Sequence, residues 1–347
     1  MAHDDSLDRM QLNMLYWWGV PTLFRAPHDI DPAQTDIALI GVPHASGNSS
    51  TERDQHLGPR AVRNVSANHR RYHAEFDFMP WDACRINDLG DVPLPELNDN
   101  ERNVERITAF YKRVSDVGAR PVSIGGDHGI TGAIVQGIAG SGAKLTGGRP
   151  AALLHLDAHT DAYSNLAHWL GAKKSAANWA AYLVHQGNVD ATKSVQIGMR
   201  GNPRGKDWLK MSFDLGYEVI TMKRYRELGG EKCAEIIRKR IGPDTPLYIT
   251  FDLDCLDPTV APGVSNIEPG VVGWNIDEAV ELLRAVRGFD VIGGDVVCLM
   301  PTKDQPNNIT AMVAASVMYE MVGLIAETHS RRKNTALGNQ RASGQPS

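Results

Sequence analysis

The 347 residues carry 36 Lys and Arg against 41 Asp and Glu, a formal net charge of −5, with 42% hydrophobic residues; this is the balance of a globular protein with a large core. Neither that charge nor any long basic run suits a nucleic-acid partner. Four scattered cysteines (Cys84, Cys233, Cys255 and Cys298) with no Cys-x-x-Cys pair argue against a disulfide framework or a zinc ribbon. Met1–Arg9 is polar and acidic, so no signal peptide is expected, and no apolar stretch reads as a bilayer span. A cytoplasmic protein with no membrane partner is the expectation.

In chain order, residues 1–35 read as an N-terminal arm whose aromatic segment, Leu15-Tyr16-Trp17-Trp18-Gly19-Val20-Pro21, either packs on its own core or reaches a neighbouring subunit. Apolar, β-branched runs then mark strands at Asp36–Val42, Pro121–Ile124, Ala151–Leu156, Ser194–Gly198, Glu218–Thr221, Leu247–Phe251 and Asp290–Val297. Helix-like stretches fall at Asn103–Val117, Thr131–Ala139, Lys173–Gln186, Glu231–Ile241, Asp277–Val286 and Ile309–Ala326. Strands apolar almost throughout and separated by helices imply an α/β fold, three layers deep, with a mainly parallel central sheet. No linker divides residues 36–330, which read as one domain; residues 331–347 form a polar tail rich in Gly, Asn, Gln and Ser, the composition of a flexible end.

Three segments hold the chemistry. Asp157, His159 and Asp161 recur every second residue after the run Ala151–Leu156, a spacing that on an extended segment turns all three to one side. Asp252 and Asp254 repeat the arrangement after Leu247–Phe251, and His128 follows Pro121–Ile124. All three segments sit past the carboxyl ends of strands, where ligands collect in such sheets. Four carboxylates and two imidazoles suit a pair of borderline-hard divalent ions such as Mn²⁺, Ni²⁺ or Zn²⁺. Such a pair, about 3.5–4 Å apart, acidifies a water held between the ions.

Gly125-Gly126-Asp127-His128, Asp157-Ala158-His159-Thr160-Asp161 and Thr250-Phe251-Asp252-Leu253-Asp254-Cys255-Leu256-Asp257-Pro258, with Gly58–Arg63 and Ala261-Pro262-Gly263, make the chain resemble the ureohydrolases: arginase, agmatinase and their guanidino-hydrolysing relatives. The resemblance runs from about Asp36 to about Glu327. It implies an α/β/α fold assembled as trimers or hexamers. It also implies one ion on His128, Asp157, Asp161 and Asp252, and a second on His159 and Asp254 with Asp157 and Asp252 shared. Asp161 would then pass a proton from the attacking water to the leaving amine, releasing urea. The N-terminal Trp-Trp segment, Gly47-Asn48-Ser49, Arg70-Arg71-Tyr72-His73 and Gly293–Val297 are similar to the branch of guanidine hydrolase and metformin hydrolase, which favours Ni²⁺, with Mn²⁺ the other choice.

Two departures shape the substrate reading. Where the family carries a His-Gly-Thr segment, this chain has Ser175-Ala176-Ala177-Asn178, and His168 is the candidate replacement for the missing imidazole. Where the family pairs a Glu with the substrate guanidinium, Val297-Cys298-Leu299-Met300-Pro301 offers Cys298 as the substrate-facing residue, a thiol unable to make the bidentate, charge-assisted contact of a carboxylate. The expectation is a dinuclear-metal hydrolase of a guanidino or biguanide C–N bond, such as that of guanidine or metformin. The alternative is a non-catalytic or weakly catalytic subunit supporting a related chain in a homo- or hetero-oligomer.

Overall fold

The computed structural model describes Trp17 and residues 19–48, 53–96, 98–163, 171–203 and 205–342, with side chains up to Arg331. Leu15, Tyr16 and Trp18 of the aromatic segment lie outside these residues; Trp17 and Val20, within them, are exposed.

Among the described residues eight strands form one sheet: β1 (Ile37–Val42), β2 (Ile86–Asp91), β3 (Arg120–Gly125), β4 (Ala152–Leu156), β5 (Val195–Met199), β6 (Glu218–Thr221), β7 (Leu247–Asp252) and β8 (Val291–Val297). Their order is β2-β1-β3-β8-β7-β4-β5-β6, and every pair is parallel. The helices are α1 (Gly58–Ser66), α2 (Pro80–Ala83), α3 (Asn100–Asp116), α4 (Gly129–Ile138), α5 (Trp179–His185), α6 (Lys210–Leu215), α7 (Met222–Leu228), α8 (Gly230–Ile241), α9 (Ile276–Arg284) and α10 (Ile309–Ala342).

The two faces of the sheet feed two cores. Ile37 and Leu39 of β1 join α1, α8, α9 and α10 on one side. Ala38, Ile40 and Val42 turn to α3, α4 and α5 on the other, as the two-residue period of a strand requires. Helix α3 shows how sequence sets these layers: Asp99 caps it by accepting the Arg102 amide, and Val104, Ile107, Tyr111 and Val114 recur along its buried face.

Strand β2 carries the polar residues Asn87, Asp88 and Asp91 and lies at the sheet edge beside a register shift near Leu39, so it lacks the apolar run expected of the inner strands. The stretch Lys173–Asn178, expected to be helical, instead loops back: the Ala176 amide donates to Gly47 O and Asn178 Oδ1 accepts the Ser175 amide. Helix α10 runs on to Ala342, into the segment read as a tail. Contrary to the sequence expectation, Ile309–Arg331 is long and apolar enough to cross a bilayer, with a mean hydropathy of 1.8. Its most apolar part is 78% buried against the sheet and its neighbours, which makes it a core helix, apolar on all sides because it is covered on all sides.

Candidate metal centre

Strands β3, β8, β7 and β4 are adjacent at the middle of the sheet, and chain connections jump from β3 to β4 across the two late strands. Such a switch point opens a crevice at the carboxyl ends, and every candidate side chain described lies there. His128 stands at the N-terminal end of α4. Asp157 comes directly after β4, Asp252 ends β7, and Cys298 follows β8.

The gathering is not made by strand alternation, as the spacing suggested. Beyond Leu156 the chain leaves the sheet, and Asp161 sits in the left-handed region at φ 48°. Asp254 lies in a 3₁₀ turn, Leu253–Cys255. Cys298 is also left-handed, at φ 69°. Each such non-glycine conformation costs about 1–3 kcal/mol and persists where neighbours enforce it. For Asp161 the enforcers are the Trp179 indole, whose Nε1 donates to Oδ2 at 2.8 Å, and the Ala180 amide on its carbonyl.

Two groups share Asp157. In the inner group, His128 Nδ1 lies 2.9 Å from Asp157 Oδ2, 2.9 Å from Asp161 Oδ2 and 3.2 Å from Asp252 Oδ2. In the outer group, His159 Nδ1 lies 3.4 Å from Asp157 Oδ1 and 3.2 Å from Asp254 Oδ2. Asp157 thus gives one oxygen to each group. Asp252 faces the inner group through Oδ2, while its Oδ1 accepts the Asp254 amide.

Charge in this cluster asks for cations. Burial opposes ionisation of both His128 and His159, yet Asp157, Asp161 and Asp252 raise the pKa of His128 and Asp254 and Asp157 raise that of His159. Burial likewise works to raise Asp157, but the imidazoles of His128, His155 and His159 beside it hold it well below the usual carboxylate range. Burial and then Asp252 push Asp254 up, and burial and then Asp157 push Asp161 up. His128 Nδ1 and Asp254 Oδ2 are buried with no hydrogen-bond partner. Orphaned ligand atoms inside a box of carboxylates fit divalent ions of the kind that accept O and N donors.

The surroundings fix which ring nitrogen is free. Thr250 Oγ1 donates to Asp295 Oδ1 at 2.7 Å, so its oxygen accepts the Nε2–H of His128 at 2.8 Å. Asp295 is fully buried and also takes Tyr248 Oη and Thr131 Oγ1, both at 2.8 Å. With the Nε2–H committed to Thr250, Nδ1 is the nitrogen that faces the carboxylates and would be bare once a cation replaces its proton. His155, which the sequence reading passed over, sits beside Asp157 Oδ2 at 2.8 Å and contacts Gln196 on its other nitrogen at 3.1 Å; its place two residues before Asp157 was the available signal.

A cleft of about 1040 Å³ opens over the groups, with Asn48, Tyr163, Trp208, Met211 and Cys298 among its walls. Burial, then Asp252 and Asp254, keeps the Cys298 thiol neutral by raising its pKa well above the ordinary range. Where an imidazole was missing from the sequence, Ala176 and Ala177 line the cleft. His168 lies outside the described residues.

The fold and this site define an arginase-type hydrolase, and comparison with known proteins agrees: the model of the arginase family matches residues 35–323. The chain belongs to that family, whose members are binuclear-metal enzymes. It is 35% identical over 313 residues to the guanidinopropionase of Pseudomonas aeruginosa, covering 90% of this chain and 94% of that one. To the human mitochondrial guanidino acid hydrolase it is 33% identical, over 88% of this chain and 82% of the relative. The solved proclavaminate amidino hydrolase of Streptomyces clavuligerus superposes with a TM-score of 0.82 at 29% identity, over 90% of this chain and 99% of that one.

Proposed function

We propose that this protein hydrolyses the C–N bond of a guanidino or biguanide compound, releasing urea and an amine, at two divalent ions. The observation that carries the reading is Asp157, which offers one oxygen to each His–Asp group in a chain of this family. His128, Asp157, Asp161 and Asp252 would hold the inner ion, and His159 and Asp254 the outer one, with Asp157 and Asp252 shared between them. Ni²⁺ is favoured and Mn²⁺ is the other candidate. When bound, such a pair supplies a water acidic enough to attack at neutral pH.

The chain's own groups do the rest. Asp161, locked by Trp179 at the floor of the cleft, holds the proton that the leaving amine must receive. Neutral Cys298 on the wall accepts an uncharged or N-alkylated end of the substrate, in contrast to the carboxylate that would clasp a guanidinium in bidentate fashion. Tyr163, Trp208 and Met211 add apolar wall for such substituents. Metformin, although a cation, brings N-methyl groups to that apolar wall, and guanidine, a small cation, has no tail for the cleft to hold; both are set ahead of arginine and agmatine, while the names of the relatives keep guanidino acids in the comparison set.

The chain works in an oligomer. A second reading, in which it supports a catalytic paralogue, draws on Ala176 and Ala177, which put methyl groups where the family places an imidazole. The experiment is to express the chain alone and with a related subunit, load Ni²⁺ or Mn²⁺, and measure urea from guanidine, metformin, guanidinopropionate, agmatine and arginine. Arginine and agmatine should fall below the preferred substrate by about 10²–10³-fold in kcat/KM, the loss expected for a missing carboxylate partner. Efficient arginine or agmatine hydrolysis contradicts the substrate reading. In the complex, Asp157→Asn in this chain should abolish activity; full retention would establish the supporting role instead.

A further inference from the structure

Glu268 belongs to none of the segments that carry the metal ligands, yet it ends beside one of them. Its Oε1 lies 3.0 Å from Nε2 of His159, 109 residues away in sequence. A carboxylate there accepts the Nε2–H, so that Nδ1, which faces Asp157 and Asp254, is the nitrogen open to an ion, the tautomer a metal ligand needs. Across the bond stands Gly201, left-handed at φ 92°; a Cβ there would fall 2.1 Å from Glu268 Oε2 and 2.7 Å from its Cδ. Only a residue without a side chain leaves the carboxylate its place. Glu268 also lines the cleft, on a rim loop whose Ile267, Val271 and Val272 are exposed.

We propose that Glu268 is a positioning residue that acts through His159 to set the affinity of the outer group for its divalent ion, so that this ion's retention follows the placement of the rim loop. The inference rests on the two-ion reading given above. The inner group has a separate support, Thr250 and Asp295, so the two ions should respond differently to changes at Glu268.

The test uses the full-length chain, stripped and titrated with Mn²⁺, with bound metal measured by equilibrium dialysis and elemental analysis. The electron paramagnetic resonance signal of a spin-coupled Mn²⁺ pair supplies a second readout. The unsubstituted chain should bind two ions. Glu268→Ala should keep one ion at its original affinity and weaken the other about 10–100-fold, the range for losing such a support, with loss of the coupled signal at two equivalents. Glu268→Gln, whose amide oxygen still accepts the Nε2–H, should recover most of the affinity, and Gly201→Ala should weaken the same ion by displacing the carboxylate. Thermal melting of each metal-free variant checks folding. If Glu268→Ala binds both ions as tightly as the parent, or weakens both equally, the proposal is overturned. If the parent itself binds no Mn²⁺ or Ni²⁺, it is the two-ion reading that fails.

Discussion

The inner and outer His–Asp groups share a carboxylate but are built from different material. The inner imidazole, His128, is 2% exposed and stands where a helix begins, its far nitrogen bonded to Thr250 of a central strand and through it to the fully buried Asp295. The outer imidazole, His159, is 24% exposed, and its far nitrogen is held by Glu268, itself 25% exposed, on a loop at the rim. Two ligands of the same chemistry therefore sit in surroundings of different polarity and rigidity. Buried, water-free bonds are strong and fixed, whereas a bond at the rim is screened by solvent and moves with its loop. The lesson is that one cluster provides a rigid ion position and an adjustable one.

The strongest way to break that distinction is to remove what the groups share. Asp157→Asn should lose both ions and lower activity by more than about 10³-fold, since no acidified water is then available. His159→Ala should leave one ion bound. Metal content per chain reads both outcomes, and two ions retained by Asp157→Asn would dissolve the sharing argument.

A smaller effect sharpens the inner half. Thr250→Val keeps the shape but takes the hydroxyl from between His128 and Asp295. It should weaken the tight ion by about 10–100-fold and cost about 1–3 kcal/mol of stability for the groups left unpartnered. Metal titration and thermal melting measure the two effects separately. An unchanged tight ion would show that Asp295 has no hold on His128.

The smallest expected change concerns Asp161. Trp179→Phe removes the indole bond that keeps this carboxylate in its left-handed conformation. A bond to a charged group is worth about 1.5–3 kcal/mol, so kcat should fall by roughly tenfold or somewhat more while both ions stay bound. Loss of an ion in this variant would assign Trp179 to metal retention instead.

Much of this architecture is legible in the sequence, and the limits have physical causes. The inner strands declare themselves because both of their faces are covered, so they run apolar almost throughout. Strand β2 does not, because this edge strand interrupts its apolar Ile86 and Leu89 with the adjacent pair Asn87 and Asp88. Helices α1, α2, α6 and α7 are too short, or too close to turns, for a 3.6-residue period to stand out. In the site, the Asp and His residues that gather are visible as a spacing, but the reason they gather is not: turns after β4 and β7 bring them together, with Asp161 at a positive φ. Thr250, Trp179 and Glu268 are illegible for another reason. Each reaches its partner across the fold, over 122, 18 and 109 residues respectively, and no local pattern records such a meeting.

Titrating the metal-free parent chain with Mn²⁺ and counting ions bound at equilibrium separates the two groups most directly. Two ions per chain should bind in two resolved steps, the tighter in the strand-built inner group and the weaker in the outer group held from the rim. Fewer than two ions, or two ions of indistinguishable affinity, would contradict this difference between the groups.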